Sequence, residues 1–193
     1  MTGDNKAFTD AELAAKARGR EQAAYRELMA RHRDAVFRLA RSYAGDADDA
    51  LDLTQEAFIA AFAALDRYDT SRAFRPWLLR IALNKCRDWS RRRAVRRLFL
   101  FGVPVDEAHG IPDPTAGPEA QTGDVRELER VSAAIAKLPA SLKEPLILTA
   151  IEGLPQAEAA ATLGLSEKAI EVRVYRARKK LSEVLERDRH DPS

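Results

Sequence analysis

The sequence predicts an all-α protein made of two small helical domains that a flexible linker joins. Alanine, which has the highest helix propensity, occurs 35 times among the 193 residues, whereas glycine and proline occur only 9 times each. Apolar residues recur at helical spacing on both sides of residues 102–123, and no alternating strand pattern appears. That segment contains four of the nine prolines and four of the nine glycines, a composition typical of an extended linker.

The first domain is predicted to contain four helices that turn and capping residues separate. Gly45 favours a helix end, Asp46 can cap the helix that follows, and Pro76 suits the first turn of another. The inward-facing stripe of the third helix is expected to contain Leu51, Phe58, Ile59 and Phe62. The helices are expected over residues 9–18, 20–44, 46–65 and 76–93, with a polar loop over residues 66–75.

The second domain is predicted to contain a helix-turn-helix, the arrangement of two helices around a tight turn. Gly164 can adopt the left-handed turn conformation, and Ala160 is small enough for the two helices to cross closely. The buried face of the second helix is expected to carry Ile170, Val174, Ala177 and Leu181. A basic face then remains free to enter the major groove of DNA. The helices are expected over residues 128–138, 142–151, 156–163 and 167–187.

Charge is segregated along the chain, although the net charge is only +2. Residues 46–69 contain seven acidic side chains and one basic one, whereas residues 84–97 contain seven basic and one acidic. Residues 167–181 carry six basic and two acidic side chains. One acidic face and two basic segments indicate two partners of opposite charge; ordinary solvated helix faces are the alternative interpretation.

The composition argues against several classes of protein. A single cysteine, Cys86, excludes a disulfide scaffold and is expected to be an inert apolar residue. No glycine-rich phosphate loop, metal-ligand spacing or nucleophile–base pair is visible. We therefore expect no enzyme, no cofactor, no metal and no small-molecule substrate. Without a signal peptide or an apolar run long enough to span a bilayer, we expect a cytoplasmic protein with no membrane insertion.

Two sets of motifs resemble the extracytoplasmic-function (ECF) group of bacterial sigma-70 factors. DLTQEAFIAAF, LDRYD and FRPWLLRIALNKCRDWSRRR resemble regions 2.1 to 2.4, and LPASLKEPLIL with LGLSEKAIEVRVYRARKKL is similar to region 4. The resemblance implies a factor that binds core RNA polymerase, directs it to promoter DNA for transcription initiation, and is controlled by an anti-sigma factor. It also implies region 2 over residues 1–97, a linker over 98–123, region 4 over 124–187 and a tail over 188–193.

Region 2.2 of such factors docks on core polymerase, and the physical chemistry of the matching segment suits that role. Asp52 and Glu56 are four residues apart, so they share one helix face. Leu53 and Phe58 are expected to supply apolar anchors beside them. An acidic face with apolar anchors suits a basic partner helix. The expected core-polymerase-binding residues are Asp52, Leu53, Gln55, Glu56 and Phe58.

The resemblance implies that region 2 reads and melts the −10 element and that region 4 reads the −35 element. A base trapped outside the duplex needs a pocket with polar edges and aromatic walls, for which the loop at residues 66–75 is the natural candidate. The expected −10 residues are Tyr68, Arg72, Phe74, Asn84, Lys85, Arg87, Asp88, Arg91 and Arg92. The expected −35 residues are Lys168, Glu171, Val172, Arg173, Tyr175, Arg176 and Lys179.

Two other functions remain open at this point. A conventional helix-turn-helix regulator would bind a palindromic site as a dimer, but it leaves the acidic helix of the first domain without a role. A sigma-like decoy would capture an anti-sigma factor without supporting transcription, yet such a protein could lose its basic faces, and both are present here.

Overall fold

The structure is a computed structural model that describes residues 8–101 and 123–190, and every regular element within them is helical. The predicted all-α class with two helical domains is confirmed. The first domain contains α1 (Asp10–Arg18), α2 (Gln22–Ala44), α3 (Ala47–Ala63), a 3₁₀ turn (Leu65–Arg67) and α4 (Phe74–Phe101). The second contains α5 (Gly123–Ala136), α6 (Ala140–Leu146), a π-helical turn (Ile147–Ile151), α7 (Gln156–Leu163) and α8 (Glu167–His190).

The helix ends follow the local chemistry of the sequence. Gly45 and Gly164 end α2 and α7 with φ of +81° and +67°, in the left-handed region that side chains disfavour. The carboxylate of Asp46 accepts a hydrogen bond from the Asp49 N–H at 2.9 Å and so caps α3. The Ser166 hydroxyl accepts one from the Ala169 N–H at 3.2 Å at the start of α8.

Helix α3 lies against α2 and α4, and this packing corrects the predicted orientation of its stripe. Phe58 is buried as expected, but Leu51 and Ile59 are 41% and 70% exposed. The buried face instead contains Ala50, Leu53, Thr54, Ala57, Phe58 and Ala61. Because successive helical residues are separated by about 100°, positions 51 and 59 lie across the helix from positions 53 and 57. Alanine and larger apolar residues occur on both faces of α3, so the sequence pattern did not identify the buried face.

Helix α4 is longer than predicted. It begins at Phe74, so that Pro76 lies in its first turn, and it continues past Arg93 to Phe101. No glycine or proline interrupts residues 94–101, and Gly102 is the first helix breaker. The last four helical residues fall in the segment that the sequence predicted as linker, whose remainder up to residue 122 lies outside the described residues.

The second domain confirms the predicted helix-turn-helix. Ile170 and Ala177 are buried, and Val174 and Leu181 pack partly buried beside them. Ala160 is buried where α7 meets α8. This packing directs the opposite face of α8 to solvent.

The two domains pack against one another. Helix α5 and the π-helical turn contact α2, while α7 contacts α4. A Cβ atom added at Gly45 would lie only 2.9 Å from the Cβ of Ala136, so the close approach of α5 to the end of α2 depends on glycine at position 45. The Ser132 hydroxyl also donates a hydrogen bond to the Arg41 carbonyl at 3.2 Å across this contact.

A buried lysine lies at the domain contact. The Lys143 ammonium donates hydrogen bonds to the carbonyls of Ala136 (2.6 Å) and Tyr43 (3.3 Å) and lies 4.4 Å from the centre of the Tyr43 ring. Burial lowers the pKa of Lys143 to about 8, against the opposing influence of Cys86 and Glu144. Burial also raises the pKa of Cys86 to about 12 and raises that of Tyr43.

These pKa shifts predict that the free energy of unfolding depends on alkaline pH. Between pH 8 and the ordinary pKa of lysine, the unfolded chain binds a proton at Lys143 that the folded chain has lost, so stability rises with pH. Above about pH 9 the Cys86 thiol ionises only in the unfolded chain and opposes this gain, as Tyr43 does at higher pH. We expect a rise of about 1 kcal/mol from pH 7 to 9 in urea unfolding.

The control for this prediction is Lys143→Met, which should abolish the rise. Arg87 and Glu144 also face this cluster and are retained in the variant. A variant that keeps the full pH dependence would show that another group carries the titration.

Candidate functional site

An acidic face with exposed apolar neighbours lies on the outer side of α3. Asp52 and Gln55 are exposed, and Glu56 is half-buried. Leu51 and Ile59 are exposed on the same helix. A carboxylate oxygen of Glu56 lies 3.6 Å from the guanidinium of Arg92, so this face borders the basic side of α4 directly.

Two residues expected to be apolar anchors on this face are not available there. Leu53 is 2% exposed and Phe58 is 3% exposed, because both point into the core between α2 and α4. The Phe58 ring packs 5.8 Å from that of Phe62. In this arrangement Leu53 and Phe58 are therefore not accessible to a partner. The exposed apolar side chains that flank the acidic face are Leu51 and Ile59.

Helix α4 presents a ladder of polar and basic side chains. Asn84, Asp88 and Arg91 follow one another at intervals of four and three residues, so they share a face. Arg87 donates a hydrogen bond to the Asn84 side-chain oxygen at 3.2 Å, and Arg91 donates to the Asp88 carboxylate. The Arg91 side chain is 76% exposed. Lys85 is half-buried and Arg92 is exposed beside this ladder.

The loop before α4 does not contain the open aromatic pocket that the sequence predicts. Tyr68 and Phe74 are buried, with their rings perpendicular and 5.3 Å apart, and both pack on Trp77. The Tyr68 hydroxyl donates a hydrogen bond to the Arg72 carbonyl at 2.5 Å, and burial raises the pKa of Tyr68. In this arrangement Tyr68 and Phe74 are therefore not accessible to an unpaired base, whereas the Arg72 side chain is exposed.

The outward face of α8 is polar and accessible. Val172 is 36% exposed and Tyr175 is 71% exposed, while Lys168 forms an ion pair with Glu171 at 2.8 Å. Arg173 is half-buried; Arg176 and Lys179 are exposed. A groove of about 520 Å³ adjoins this face between the π-helical turn, α7 and α8. Its lining residues are Thr149, Gln156, Glu171, Val172, Val174, Tyr175 and Arg178.

Among the described residues, three ion pairs that the sequence did not predict join the two domains. Arg38 and Arg75 both bind the carboxylate of Glu152, and Arg87 binds that of Glu144. The sequence offered no signal for these pairs, because partners up to 114 positions apart cannot be matched by spacing. Arg87, expected to face DNA, is therefore engaged by the second domain.

Cys86 is buried in α4, and burial raises the pKa of its thiol to about 12. A thiol with so little thiolate at neutral pH is a poor nucleophile and a poor redox sensor, which agrees with its expected apolar role.

Within the described ranges 8–101 and 123–190, no group of three or more His, Cys, Asp or Glu side chains is placed to hold a metal ion. In the same ranges, no helix combines the length and apolar character needed to cross a membrane.

Comparison with known families matches both domains. The family described as Sigma-70 region 2 matches residues 28–96, and Sigma-70, region 4 matches residues 128–181. The chain is 45% identical over 188 residues to the RNA polymerase sigma factor CnrH of Cupriavidus metallidurans, covering 95% of this chain and 98% of the relative. It is 41% identical over 177 residues to the sigma factor NccH of Alcaligenes xylosoxydans xylosoxydans, covering 92% and 95%.

Solved structures show the same architecture. The structure of CnrH in complex with the cytosolic domain of CnrY matches with a TM-score of 0.68 and 39% identity, covering 93% of this chain and 98% of that one. The sigma factor RpoE in complex with the anti-sigma factor NepR from Bartonella quintana matches with a TM-score of 0.66 and 26% identity, covering 84% and 96%.

Proposed function

The chain belongs to the ECF group of the sigma-70 family of RNA polymerase sigma factors, and we propose that three of its surfaces direct core polymerase to promoters. The observation that carries this proposal is the pairing, in one domain, of an exposed acidic face on α3 with a basic face on α4, followed by a helix-turn-helix. A protein that must hold a polymerase and DNA together needs surfaces of both signs.

The acidic face of α3 is proposed to bind core polymerase. Asp52, Gln55 and Glu56 supply polar contacts to a basic partner helix, and Ile59 supplies an apolar anchor in place of the buried Phe58. Charge complementarity brings the partners together in the correct orientation, and a buried apolar side chain adds affinity.

The basic face of α4 is proposed to bind the −10 element, and the outward face of α8 the −35 element. Asn84 and Asp88 can hydrogen-bond base edges at the duplex fork, while the neighbouring cations contact phosphates. On α8, Glu171 can accept a hydrogen bond from cytosine N4, and Val172 can contact a thymine methyl group. The proposed phosphate and positioning residues are Arg72, Lys85, Arg87, Arg91, Arg92, Lys168, Arg173, Tyr175, Arg176 and Lys179.

An anti-sigma factor is proposed to control the protein. Two relatives of the same fold are each solved in a complex, CnrH with CnrY and RpoE with the anti-sigma factor NepR. We further propose that the chain acts in the cytoplasm and that residues 102–122, between α4 and α5, link the two domains. Nucleotidyl transfer is proposed to belong to the polymerase, without a catalytic group from this chain.

The test is in vitro transcription with sigma-free bacterial core polymerase on a sheared genomic template, with mapped start sites. We expect discrete starts that share two upstream elements and that disappear with Arg91→Ala combined with Arg92→Ala. Core binding without any starts would instead indicate a decoy. Absence of core binding would contradict the proposal and favour a simple DNA-binding regulator.

Ile59→Ser is expected to weaken core binding about 10-fold, because it removes an anchor that is buried only in the complex. The matched control is Leu128→Ser on α5, since both side chains are 70% exposed in the free protein. Fluorescence anisotropy with labelled sigma factor and core polymerase measures both. Equal losses from the two variants would show that general surface hydrophobicity, and no specific anchor, governs binding.

A further inference from the structure

Glu152 of the second domain is enclosed by two arginines of the first. It follows the π-helical turn, and its side chain is 0% exposed. Arg38 of α2 donates to both carboxylate oxygens, at 3.2 and 3.1 Å, and Arg75 of α4 donates to one of them at 2.7 Å. A carboxylate enclosed to this degree needs such partners, because an isolated buried charge is costly.

Glu144 makes an equivalent contact one helix earlier. Arg87 of α4 holds its two oxygens in a fork, with Nε at 2.8 Å and Nη2 at 2.5 Å. This hydrogen bonding to Glu144 raises the pKa of Arg87 above its ordinary value. The Glu144 side chain is almost completely buried, whereas that of Arg87 remains more than one-third exposed. In these ion pairs the carboxylates are therefore buried, whereas the guanidinium groups remain partly exposed to solvent.

The chemistry of these arginines is not specific to glutamate. The planar guanidinium fork binds carboxylate and phosphate oxygens in the same bidentate geometry. Arg75 and Arg87 are twelve residues apart on α4, which is about 18 Å along a helix. They lie on the helix proposed to contact the −10 element, and Arg38 approaches from the neighbouring α2.

We propose that Arg38, Arg75 and Arg87 form a binding site for the phosphate backbone of promoter DNA, which Glu144 and Glu152 occupy while the domains are packed together. We call these three residues the arginine site. The inference rests on the proposed contact between α4 and DNA, and it extends that contact to Arg38 and Arg75. The two carboxylates take the place of phosphates, so domain packing and DNA binding compete for one set of cations.

The competition has a structural and an energetic basis. Helix α7 contacts α4, and the carboxylates of Glu144 and Glu152 occupy the guanidinium forks. DNA phosphates therefore cannot replace these carboxylates until the second domain moves away. Buried ion pairs recover little net free energy after desolvation. The packed state is therefore open to exchange with a polyanion that offers several phosphates at once.

The test compares Glu144→Gln combined with Glu152→Gln against the wild-type full-length protein. The probe is a fluorescein-labelled random-sequence duplex with a single-stranded overhang, followed by anisotropy, and small-angle X-ray scattering gives the radius of gyration. We expect the variant to bind the probe about 5- to 10-fold more tightly and to be larger. Glu167→Gln with Glu183→Gln changes two exposed acidic side chains of α8 and alters net charge equally, so it controls for charge alone. This control should leave the size unchanged and shift affinity less.

A second set of variants tests the inference if the Glu144→Gln, Glu152→Gln protein, here called the glutamine pair, folds poorly. Arg87→Glu with Glu144→Arg should restore the ion pair and the compact size but weaken probe binding. Compact protein with undiminished binding would overturn the inference. Adding Arg38→Ala and Arg75→Ala to the glutamine pair should cancel its gain in affinity, and a retained gain would exclude these arginines from the phosphate site.

The outcomes separate this inference from the proposed function. If Arg91→Ala with Arg92→Ala weakens probe binding while the glutamine pair changes neither affinity nor size, the inference fails and the DNA-binding role of α4 stands. If neither the wild type nor any variant binds the probe, the inference fails, and the transcription assay with core polymerase decides the proposed function by itself.

Discussion

Phe58→Ala is expected to lower the free energy of unfolding of the first domain by about 3–5 kcal/mol, the usual cost of deleting a buried aromatic ring. Phe58 is 3% exposed and packs with Phe62 in the core between α2 and α4. Ordinary domains are stable by only about 5–15 kcal/mol, so this one substitution should leave the domain close to unfolding.

Urea unfolding followed by tryptophan fluorescence measures this change selectively. The chain contains two tryptophans, Trp77 and Trp89, and both lie on α4 of the first domain. Ile59→Ala, one position away, is the matched control. That side chain is 70% exposed, and its truncation should change stability by less than about 0.5 kcal/mol.

The neighbouring positions therefore have opposite expected effects. Phe58→Ala should reduce stability, and it should reduce polymerase binding only in proportion to the fraction of unfolded protein. Ile59 variants should reduce binding without affecting stability. A stable Phe58→Ala protein that fails to bind core polymerase would reverse these roles and would restore Phe58 as a surface anchor.

Local chemistry explains why much of the fold was predictable. Three predicted features depend on residues that are close in sequence. They are the left-handed conformation of Gly45 and Gly164, the carboxylate cap at Asp46 and the spacing of the helix-turn-helix. Helix α4 extends eight residues beyond its predicted end at residue 93, because arginine is a good helix former and no glycine or proline lies between residues 93 and 102.

Tertiary packing determines which face of α3 is buried. The apolar periodicity of the helix did not predict that face. Apolar residues occur on both sides of this helix, so periodicity alone allowed Leu51 and Ile59 to be placed inside. The partners of Glu144 and Glu152 depend on how two domains meet, which no local pattern encodes. Surface charge was more informative, because the acidic side chains of α3 were expected to be outward and are accessible.

Reversing the charge of α3 with Asp52→Lys and Glu56→Lys is expected to weaken core polymerase binding by about 100-fold or more. The proposed partner surface is basic, so the variant would place like charges against each other, which costs several kcal/mol. Glu56 also loses its pair with Arg92, but that contact is exposed and contributes little to stability. The fold should therefore be retained, as judged by circular dichroism.

The matched control carries the same charge change elsewhere. Asp34 on α2 and Glu183 on α8 are exposed, so Asp34→Lys with Glu183→Lys also raises the net charge by four without altering the α3 face. Anisotropy titrations with core polymerase at several salt concentrations distinguish the two variants.

Wild type and control should lose affinity as salt rises, because attraction between opposite charges is screened. The α3 variant should bind weakly throughout and lack this salt-dependent loss, since its remaining affinity is apolar. Similar losses from both variants would show that net charge governs binding, and would remove the acidic face of α3 from the polymerase interface.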